Sequence, residues 1–441
     1  MVSYYSVNKK LMFTICLLAF PCFVAAQSEA EAESVVEGFS RKLENIDVEA
    51  SRTRVEVKSD GLTDLAPVPV ASEDDNIRRL YRDSMHYAGG GFHIRYRKGE
   101  EGLDKLVETR MPVEMNFNVG LGRASFELTP VYLSSGELSS SQYKNRYFAT
   151  NGLYDPDDRV DGADSNNQGG VSFGVTYEIG GFSLNAGTTP VGFAQSNGVG
   201  EFSFDHAFGG GFNFGVSAFR KPVTDSVLSY AGLEDELSGE TWGAIIRNGG
   251  SFRLGYDAGG FGVYSDFISA IYSGENVPDN DYFQYTGGIY FIPYRGESLQ
   301  ISGGFNITYF EFEKNLRFFT FGQGGYFSPE LFYSASIPFS LTYTQERISL
   351  SVDLTVGFQY FSEESADFYP YEPSLQAQLE SLELTQPVAF EGQTQTKFAN
   401  KIGVRLDYFL TDNFSARARL ESQSAADYEE SVFGVDMEYR F

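Results

Sequence analysis

The last eleven residues of the chain, 431–441, read S-V-F-G-V-D-M-E-Y-R-F and alternate between two kinds of side chain. The apolar positions are Phe433, Val435, Met437, Tyr439 and Phe441. Because successive side chains of a strand point to opposite faces, the alternation predicts a β-strand with one apolar and one polar face. An apolar face toward lipid and a polar face toward a wet interior is typical of a transmembrane barrel strand. The last strand of a soluble sandwich, which also has one apolar face, is the alternative interpretation.

A chain that ends on the aromatic residue of such a strand resembles the carboxyl-terminal signal by which bacterial outer-membrane proteins are recognised for insertion. This resemblance assigns the signal to Phe433, Tyr439 and Phe441. It implies outer-membrane lipid and the barrel-assembly machinery as partners. The expected location is the bacterial cell outer membrane.

The same alternation recurs in three earlier segments, 171–179, 348–360 and 402–410. In the last of these, Arg405 and Asp407 stand between apolar neighbours. A charge at every second position belongs on a water-filled lumen, because burying it in a packed core would be costly. The pattern predicts an all-β fold, a transmembrane antiparallel β-barrel.

Strand counting gives seventeen candidates, including two separate ones at 241–248 and 251–258. A bacterial barrel with both ends in the periplasm needs an even number, so we expect about 16 strands, with eighteen as the next choice. Short turns at 294–297, 345–346 and 411–413 alternate with longer connections, among them 313–329 and 362–395. We expect the short turns in the periplasm and the long connections outside the cell or folded into the pore.

The amino-terminal part divides into two segments ahead of the barrel. Lys9 and Lys10, an apolar run and the small residues of Val24-Ala25-Ala26 predict a signal peptide over 1–26. Residues 27–88 are predicted to be a short, partly helical periplasmic segment, and residues 89–441 the outer-membrane β-barrel. Both cysteines fall within the signal peptide, so disulfides and thiol chemistry are not expected in the mature chain.

Charge and residue types exclude several classes of function. The formal net charge is −27, and loss of Lys9 and Lys10 would make it −29. Such an acidic surface repels nucleic acid. The three histidines, His86, His93 and His206, lack partners at a spacing that suggests a catalytic triad or a metal site. The acidic stretch 155–164 is interpreted as a solvated loop, because Arg159 occupies a ligand position of a calcium loop. We therefore expect no enzyme activity, no metal and no cofactor.

Two segments carry more information than a generic loop. The first, 221–232, reads K-P-V-T-D-S-V-L-S-Y-A-G, and the second, 314–329, reads K-N-L-R-F-F-T-F-G-Q-G-G-Y-F-S-P. In the second, aromatic faces beside amides suit a sugar polymer, whose ring faces are apolar and whose edges are hydroxyls. A loop tucked into the barrel for structural reasons explains the composition equally well.

Both segments resemble signatures of the carboxyl-terminal domain of the bacterial cellulose synthase operon protein C family, in the same order. Trp242-Gly243, 247–250 and 99–106 also look like that family. The resemblance covers roughly residues 88–441. It implies a sixteen-stranded outer-membrane channel that passes nascent cellulose, or a modified form of it, out of the cell.

The resemblance also implies polymer-contacting residues and partners. The expected channel residues are Asp225, Ser229, Tyr230, Trp242, Asn315, Arg317, Gln323, Tyr326 and Phe327. A glucan polymer and an inner-membrane cellulose synthase would be the functional partners. Family members usually carry periplasmic tetratricopeptide repeats before the barrel, whereas 27–88 shows no repeat signature. We therefore expect a separate periplasmic repeat protein as the scaffold.

Other cargoes remain open on the sequence alone. A polyanion such as alginate would favour a basic lumen, whereas a deacetylated amino-sugar polymer would fit an acidic one. A general or sugar-specific diffusion porin and an adhesive surface barrel are further alternatives. Similar barrels carry out unrelated tasks, so the fold does not choose among them.

Overall fold

The computed structural model describes residues 85–136, 167–235, 239–381, 388–425 and 428–441. The predicted signal peptide, nearly all of 27–88 and the acidic stretch 155–164 lie outside these ranges. No helix among the described residues is both long enough and apolar enough to cross a bilayer.

Twenty strands and two short helices make up the described chain. The strands of the amino-terminal half are β1 (Tyr87–Lys98), β2 (Leu106–Arg110), β3 (Val113–Val119), β4 (Gly122–Ser134), β5 (Asn167–Ile179), β6 (Phe182–Thr188), β7 (Gly198–Ala207), β8 (Phe212–Pro222), β9 (Leu233–Glu234) and β10 (Thr241–Asp257). The remaining strands are β11 (Phe261–Glu275), β12 (Val277–Arg295), β13 (Leu299–Phe312), β14 (Leu331–Gln345), β15 (Ile348–Glu363), β16 (Ala366–Asp367), β17 (Ala389–Phe390), β18 (Gln393–Phe409), β19 (Phe414–Ala425) and β20 (Tyr428–Arg440). The helices are α1 (Val227–Ala231) and α2 (Pro373–Ser381).

The wall of the described chain is a closed antiparallel barrel of 16 strands. Neighbours in sequence pair with each other around the wall, and β1 closes the ring by pairing with β20. The prediction of two strands at 241–248 and 251–258 is wrong, because β10 runs through Gly249-Gly250 without a turn. Those glycines pair with both β8 and β11, so they are interior positions of one long strand.

One wall strand is broken by a proline. β2 and β3 both lie between β1 and β4, and Met111-Pro112 separates them. Proline has no backbone N–H to donate, so it interrupts the ladder. The carbonyl of Pro112 still accepts a hydrogen bond from the backbone N–H of Gly91, at 2.9 Å. The two pieces therefore act as a single wall strand.

The alternation of side chains predicted from the sequence is present around the wall. Large apolar side chains point outward and are exposed, as with Phe358, Ile402 and Phe433. Polar side chains from alternate positions point inward and are buried, as with Gln359 and Asp266. The outer surface is therefore matched to lipid and the inner surface to polar contents.

The last strand, β20, forms the seam of the barrel. β20 pairs with β19 on one side and with β1 along its whole length on the other, from Tyr87–Arg440 to Lys98–Glu429. The last residue also takes part, because the backbone N–H of Phe441 donates to the carbonyl of His86 at 2.9 Å.

The two ends of the barrel differ in their connections. Turns of a few residues join the strands at the end where β1 begins and β20 ends, including the predicted turns at 294–297, 345–346 and 411–413. The long connections 223–240, 313–330 and 364–392 lie at the other end, which we call the mouth. The mouth also has short connections: Asn276 alone joins β11 to β12, and two residues separate β19 from β20.

The outward face of β14 offers a test of this arrangement. Ile337 is exposed on the outer surface near the middle of the strand, and Ser336 beside it points inward. We expect Ile337→Arg to lower the free energy of unfolding in lipid by about 2–4 kcal/mol, because the charge would lie in hydrocarbon. Ser336→Arg is the control and should cost much less. Equilibrium unfolding in detergent or lipid vesicles measures both, and equal losses would contradict the assignment of faces.

Candidate functional site

Two segments close over the mouth of the barrel, and they contain both family-like motifs. The strap, 223–235, leaves β8 and contains α1, and the cover loop, 313–330, joins β13 to β14. We refer to the two together as the plug. Both segments pack against inward-facing residues of the wall, so the plug lies inside the ring of strands and not beside it.

The strap is a compact turn of helix held by its own hydroxyl groups. Ser226 caps α1, and its side chain and that of Ser229 each accept from the other residue's backbone N–H, at 3.1 Å and 2.9 Å. This reciprocal pattern satisfies two N–H groups at the start of the helix. All five residues of α1 are buried, so the helix is fixed by packing as well as by its cap.

The cover loop depends on glycines for its tight path. The N–H groups of Gly324 and Gly325 both donate to the carbonyl of Leu316, at 2.9 Å and 3.0 Å. Gly325 has φ +64°, and a Cβ there would lie 2.8 Å from Oγ of Ser226. Left-handed backbone and close contact with the strap both require glycine at this position. The last glycine of the F-G-Q-G-G sequence is therefore explained by the fold of the plug.

The strap and the cover loop are bonded to each other. The Ser226 hydroxyl donates to the carbonyl of Gly325 at 2.7 Å, and the N–H of Phe327 donates to Oδ2 of Asp225 at 3.1 Å. Trp242, which is fully buried, contacts the ring of Phe321 with centroids 5.7 Å apart. Trp242 is on β10, and burying one such aromatic side chain contributes about 1.5–3 kcal/mol, so this contact helps to hold the cover loop on the wall.

The chain that follows β15 also bonds to the cover loop. Arg317 pairs with Glu363 at 2.6 Å, and the Asn315 side chain donates to the carbonyl of Glu364 at 3.0 Å. The amide of Gln323 donates to the carbonyl of Asp367 at 2.8 Å. These bonds attach the cover loop to the end of β15 and to the chain that follows it.

An aromatic collar lines the wall beneath the plug. Its members are Tyr272, Tyr282, Phe310, Phe312, Phe332 and Phe361, which come from β11 to β15 and are all buried. Tyr326 of the cover loop stacks on Tyr272 with centroids 5.4 Å apart, and Phe327 meets Phe361 edge to face at 5.2 Å. A cavity of about 210 Å³ remains between the collar, the strap and the cover loop.

Burial affects the two tyrosines of the plug, which lie outside the membrane-spanning strands. It raises the pKa of Tyr230 and that of Tyr326 above the ordinary value, because the phenolate would lose its hydration. Both hydroxyls therefore remain protonated at neutral pH. The Tyr326 hydroxyl accepts from the amide of Asn280 at 3.1 Å, which fixes the ring against the wall.

The residues predicted to contact a polymer are gathered in the plug. Asp225, Ser229, Tyr230, Asn315, Arg317, Gln323, Tyr326 and Phe327 belong to the strap or the cover loop, and Trp242 packs beneath them. Ser229, Trp242 and Gln323 are completely buried. Their observed contacts are with other residues of the plug, with the wall and with the chain that follows β15. Contact with a polymer stays a prediction that requires the plug to move. Phe433, Tyr439 and Phe441 lie exposed on the outer surface, where an insertion signal would be read.

The charged residues that meet the strap were not predicted from the sequence. Arg95 and Arg97 on β1, Glu108 on β2 and Glu430 on β20 point inward and are largely buried. Their signal was present, because Arg95 and Arg97 occupy alternate positions of a predicted strand. Nothing in a single sequence indicated that an acidic residue of 221–232 would lie opposite them.

The three histidines lie apart from one another, each with its own contacts. Within the described ranges, no group of three or more His, Asp or Glu side chains could hold a metal ion. His93 pairs with Asp436 at 2.7 Å on the inner wall, and His206 lies among phenylalanine rings. His86 packs against Phe117 and Phe441 at the end where β1 begins and β20 ends.

The chain is similar in sequence to several known proteins. Residues 104–441 match the family described as Cellulose synthase operon protein C C-terminus. Cellulose synthase operon protein C of Pseudomonas fluorescens (strain SBW25) is 29% identical over 366 residues, which cover 82% of this chain and 27% of that protein. The protein of the same name from Xanthomonas axonopodis pv. citri (strain 306) is 33% identical over 285 residues, 62% of this chain and 19% of that protein.

Among solved structures, a bacterial polysaccharide outer membrane secretin has the same fold, with a TM-score of 0.50 at 10% identity over 81% of this chain and 99% of that one. The chain spans less than a third of the length of the curated relatives it matches. With the family match over most of the barrel, the location is the outer membrane. The chain belongs to the cellulose synthase operon protein C family, in the part described as its C-terminus.

Proposed function

We propose that this barrel is the outer-membrane channel that exports cellulose, a β-1,4-glucan, or a modified cellulose from the periplasm during bacterial cellulose biosynthesis. The coarser statement, an outer-membrane channel associated with cellulose or polysaccharide synthesis, follows from the family and the fold. We propose in addition that the transported polymer is cellulose and that it moves outward.

The observation that carries the proposal is the chemistry of the inner wall on β12 to β15. Its buried inward side chains are mainly amides and hydroxyls, namely Gln284, Thr286, Gln300, Ser302, Asn306, Thr308, Ser340 and Gln359. Neutral donors and acceptors suit the hydroxyls of a neutral sugar polymer. The aromatic collar at the mouth end of the same strands supplies flat apolar surfaces for the ring faces. Many weak contacts of this kind favour passage over tight binding.

Conduction of a polymer requires the plug to move. The strap and the cover loop together reach from β15 on one side of the mouth to β1 and β2 on the other. A general diffusion porin needs a permanently open path, so the plug favours a channel that opens for its cargo. Asp225, Tyr230, Gln323, Tyr326 and Phe327 would then meet the polymer when the plug is displaced.

The proposed channel has no catalytic role, and synthesis and its energy source would lie elsewhere. The inner-membrane cellulose synthase would deliver the polymer, and a separate periplasmic repeat protein would hold the two together. We expect a pull-down of the chain from its native membrane to recover such a repeat protein. Recovery of the barrel without one would contradict the proposed scaffold and leave the channel function untouched.

Deletion of the chain tests export directly. We expect extracellular glucan to fall strongly and periplasmic glucan to rise, because the polymer would lose its exit. Enzymatic digestion and glucose analysis of the two fractions measure both quantities, and expression of the intact chain should restore them. Unchanged export would refute the proposal, and reduced uptake of small sugars instead would indicate a diffusion porin.

The cover loop offers a test of the closed state. Gly325→Ala would place a Cβ in contact with the strap and strain a left-handed backbone by about 1–2 kcal/mol, so the plug should loosen. We expect higher ion conductance in planar lipid bilayers. Gly260→Ala is the matched control, since its Cβ would meet no atom within 4 Å and its φ is not positive. Equal conductance of the two variants would show that the cover loop does not limit the path.

A further inference from the structure

A buried cluster of charges lies where the strap reaches the seam of the barrel. On the wall, Arg95 pairs with Glu108 at 2.7 Å, and Arg97 pairs with Glu430 at 3.3 Å. Arg110 also pairs with Glu108, at 3.1 Å. These residues come from β1, β2 and β20, so the cluster is assembled only when the first and last strands have joined.

The wall residues of the cluster do not balance their own charge. Three arginines, Arg95, Arg97 and Arg110, face the two carboxylates of Glu108 and Glu430. Asp225 of the strap supplies a third carboxylate, with Oδ1 lying 3.7 Å from Nη2 of Arg97. Arg110 is half exposed and its charge is partly hydrated, whereas the side chain of Arg97 is nine-tenths buried. The carboxylate of Asp225 therefore chiefly offsets the cost of burying Arg97.

The strap adds hydrogen bonds to this charge pairing. Nη2 of Arg95 donates to the carbonyl of Thr224 at 2.8 Å, and Nη1 of Arg97 donates to the carbonyl of Asp225. Arg110 reaches the Tyr230 hydroxyl at 3.5 Å. Charge-assisted bonds of this kind are stronger than bonds between neutral groups. Three arginines of the wall thus hold three successive parts of the strap.

The position of the cluster gives it control over the strap. The two ends of the strap connection are joined covalently to β8 and β10, whereas β1 and β2 lie several strands away around the wall. The part of the strap that crosses toward the seam is therefore held there by noncovalent contacts. Asp225 also accepts the N–H of Phe327, so it ties the cover loop to the same point.

We propose that the cluster of Arg95, Arg97, Arg110, Glu108, Glu430 and Asp225 is a latch that holds the plug closed, with Asp225 as its movable part. When the latch is released, the strap leaves the seam and frees the cover loop, because Asp225 bonds to both. The latch rests on the proposed function in one respect, namely that the barrel is a channel that can open.

The test compares charge-neutral variants of the full chain in planar lipid bilayers. Asp225→Asn removes the movable carboxylate and leaves one arginine unbalanced. The double variant Arg97→Gln/Asp225→Asn removes one charge of each sign, so the wall keeps its balance while the latch is lost. We expect both variants to be open about tenfold more of the time than the parent, because each of them loses the Arg97–Asp225 ion pair that holds the strap.

Lys98 and Glu429 provide the matched control. They form a pair at 3.1 Å on the same two strands, one residue away from Arg97 and Glu430, and both side chains are exposed. Glu429→Gln should leave conductance unchanged, because exposed pairs contribute little. A heat-modifiable band on a denaturing gel, typical of folded barrels, shows whether each variant has assembled.

Three results would overturn the latch. The first is a double variant that assembles and stays as closed as the parent. The second is a Glu429→Gln variant that opens as often as the latch variants. The third is failure of both latch variants to assemble, which would show that the cluster is needed for folding of the wall. The conductance readout uses small ions and no polymer. If the variants are open but deletion of the whole chain leaves glucan export unchanged, the latch stands and the proposed cargo is refuted.

Discussion

Closure of β1 onto β20 is the constraint on which the rest of the structure depends. A sheet in lipid cannot leave backbone N–H and C=O groups unpaired at its edges, because no water is present to satisfy them. Continuous pairing from Tyr87–Arg440 to Lys98–Glu429 removes both edges. The same pairing places Arg97 beside Glu430 on the inner surface, so the seam of the wall is also the place where the strap is held.

The inner surface is divided into regions of different chemistry. Amides and hydroxyls dominate β12 to β15, aromatic rings form a collar at their mouth end, and charges concentrate around the seam. A neutral polymer has hydroxyl edges and apolar faces, so the first two regions suit it. The charged region has its partners within the protein, as in the pairs Arg417–Asp407 and Lys401–Glu421.

The fold could be predicted from the sequence to a large extent, because each strand carries its own evidence. Alternation in 348–360 and 431–441 reports both the strand and its two faces, and tight turns mark where strands end. The prediction of two strands in place of β10 was wrong because Gly249-Gly250 has the local composition of a turn. Pairing with β8 and β11 on both sides keeps these two residues extended. Pairing partners decide such cases, and a single segment contains no information about them.

The sequence by itself determined the barrel, its lipid-facing surface and the two family-like motifs, 221–232 and 314–329. Those features depend on periodicity and on local composition, which a linear chain displays. Only the tertiary structure decided that the motif residues are buried in a plug, with Ser229, Trp242 and Gln323 fully enclosed. It also decided that Asp225 meets Arg97 across 128 positions of sequence. Such contacts arise from the closure of the ring and the folding of loops into it, and no local pattern encodes them.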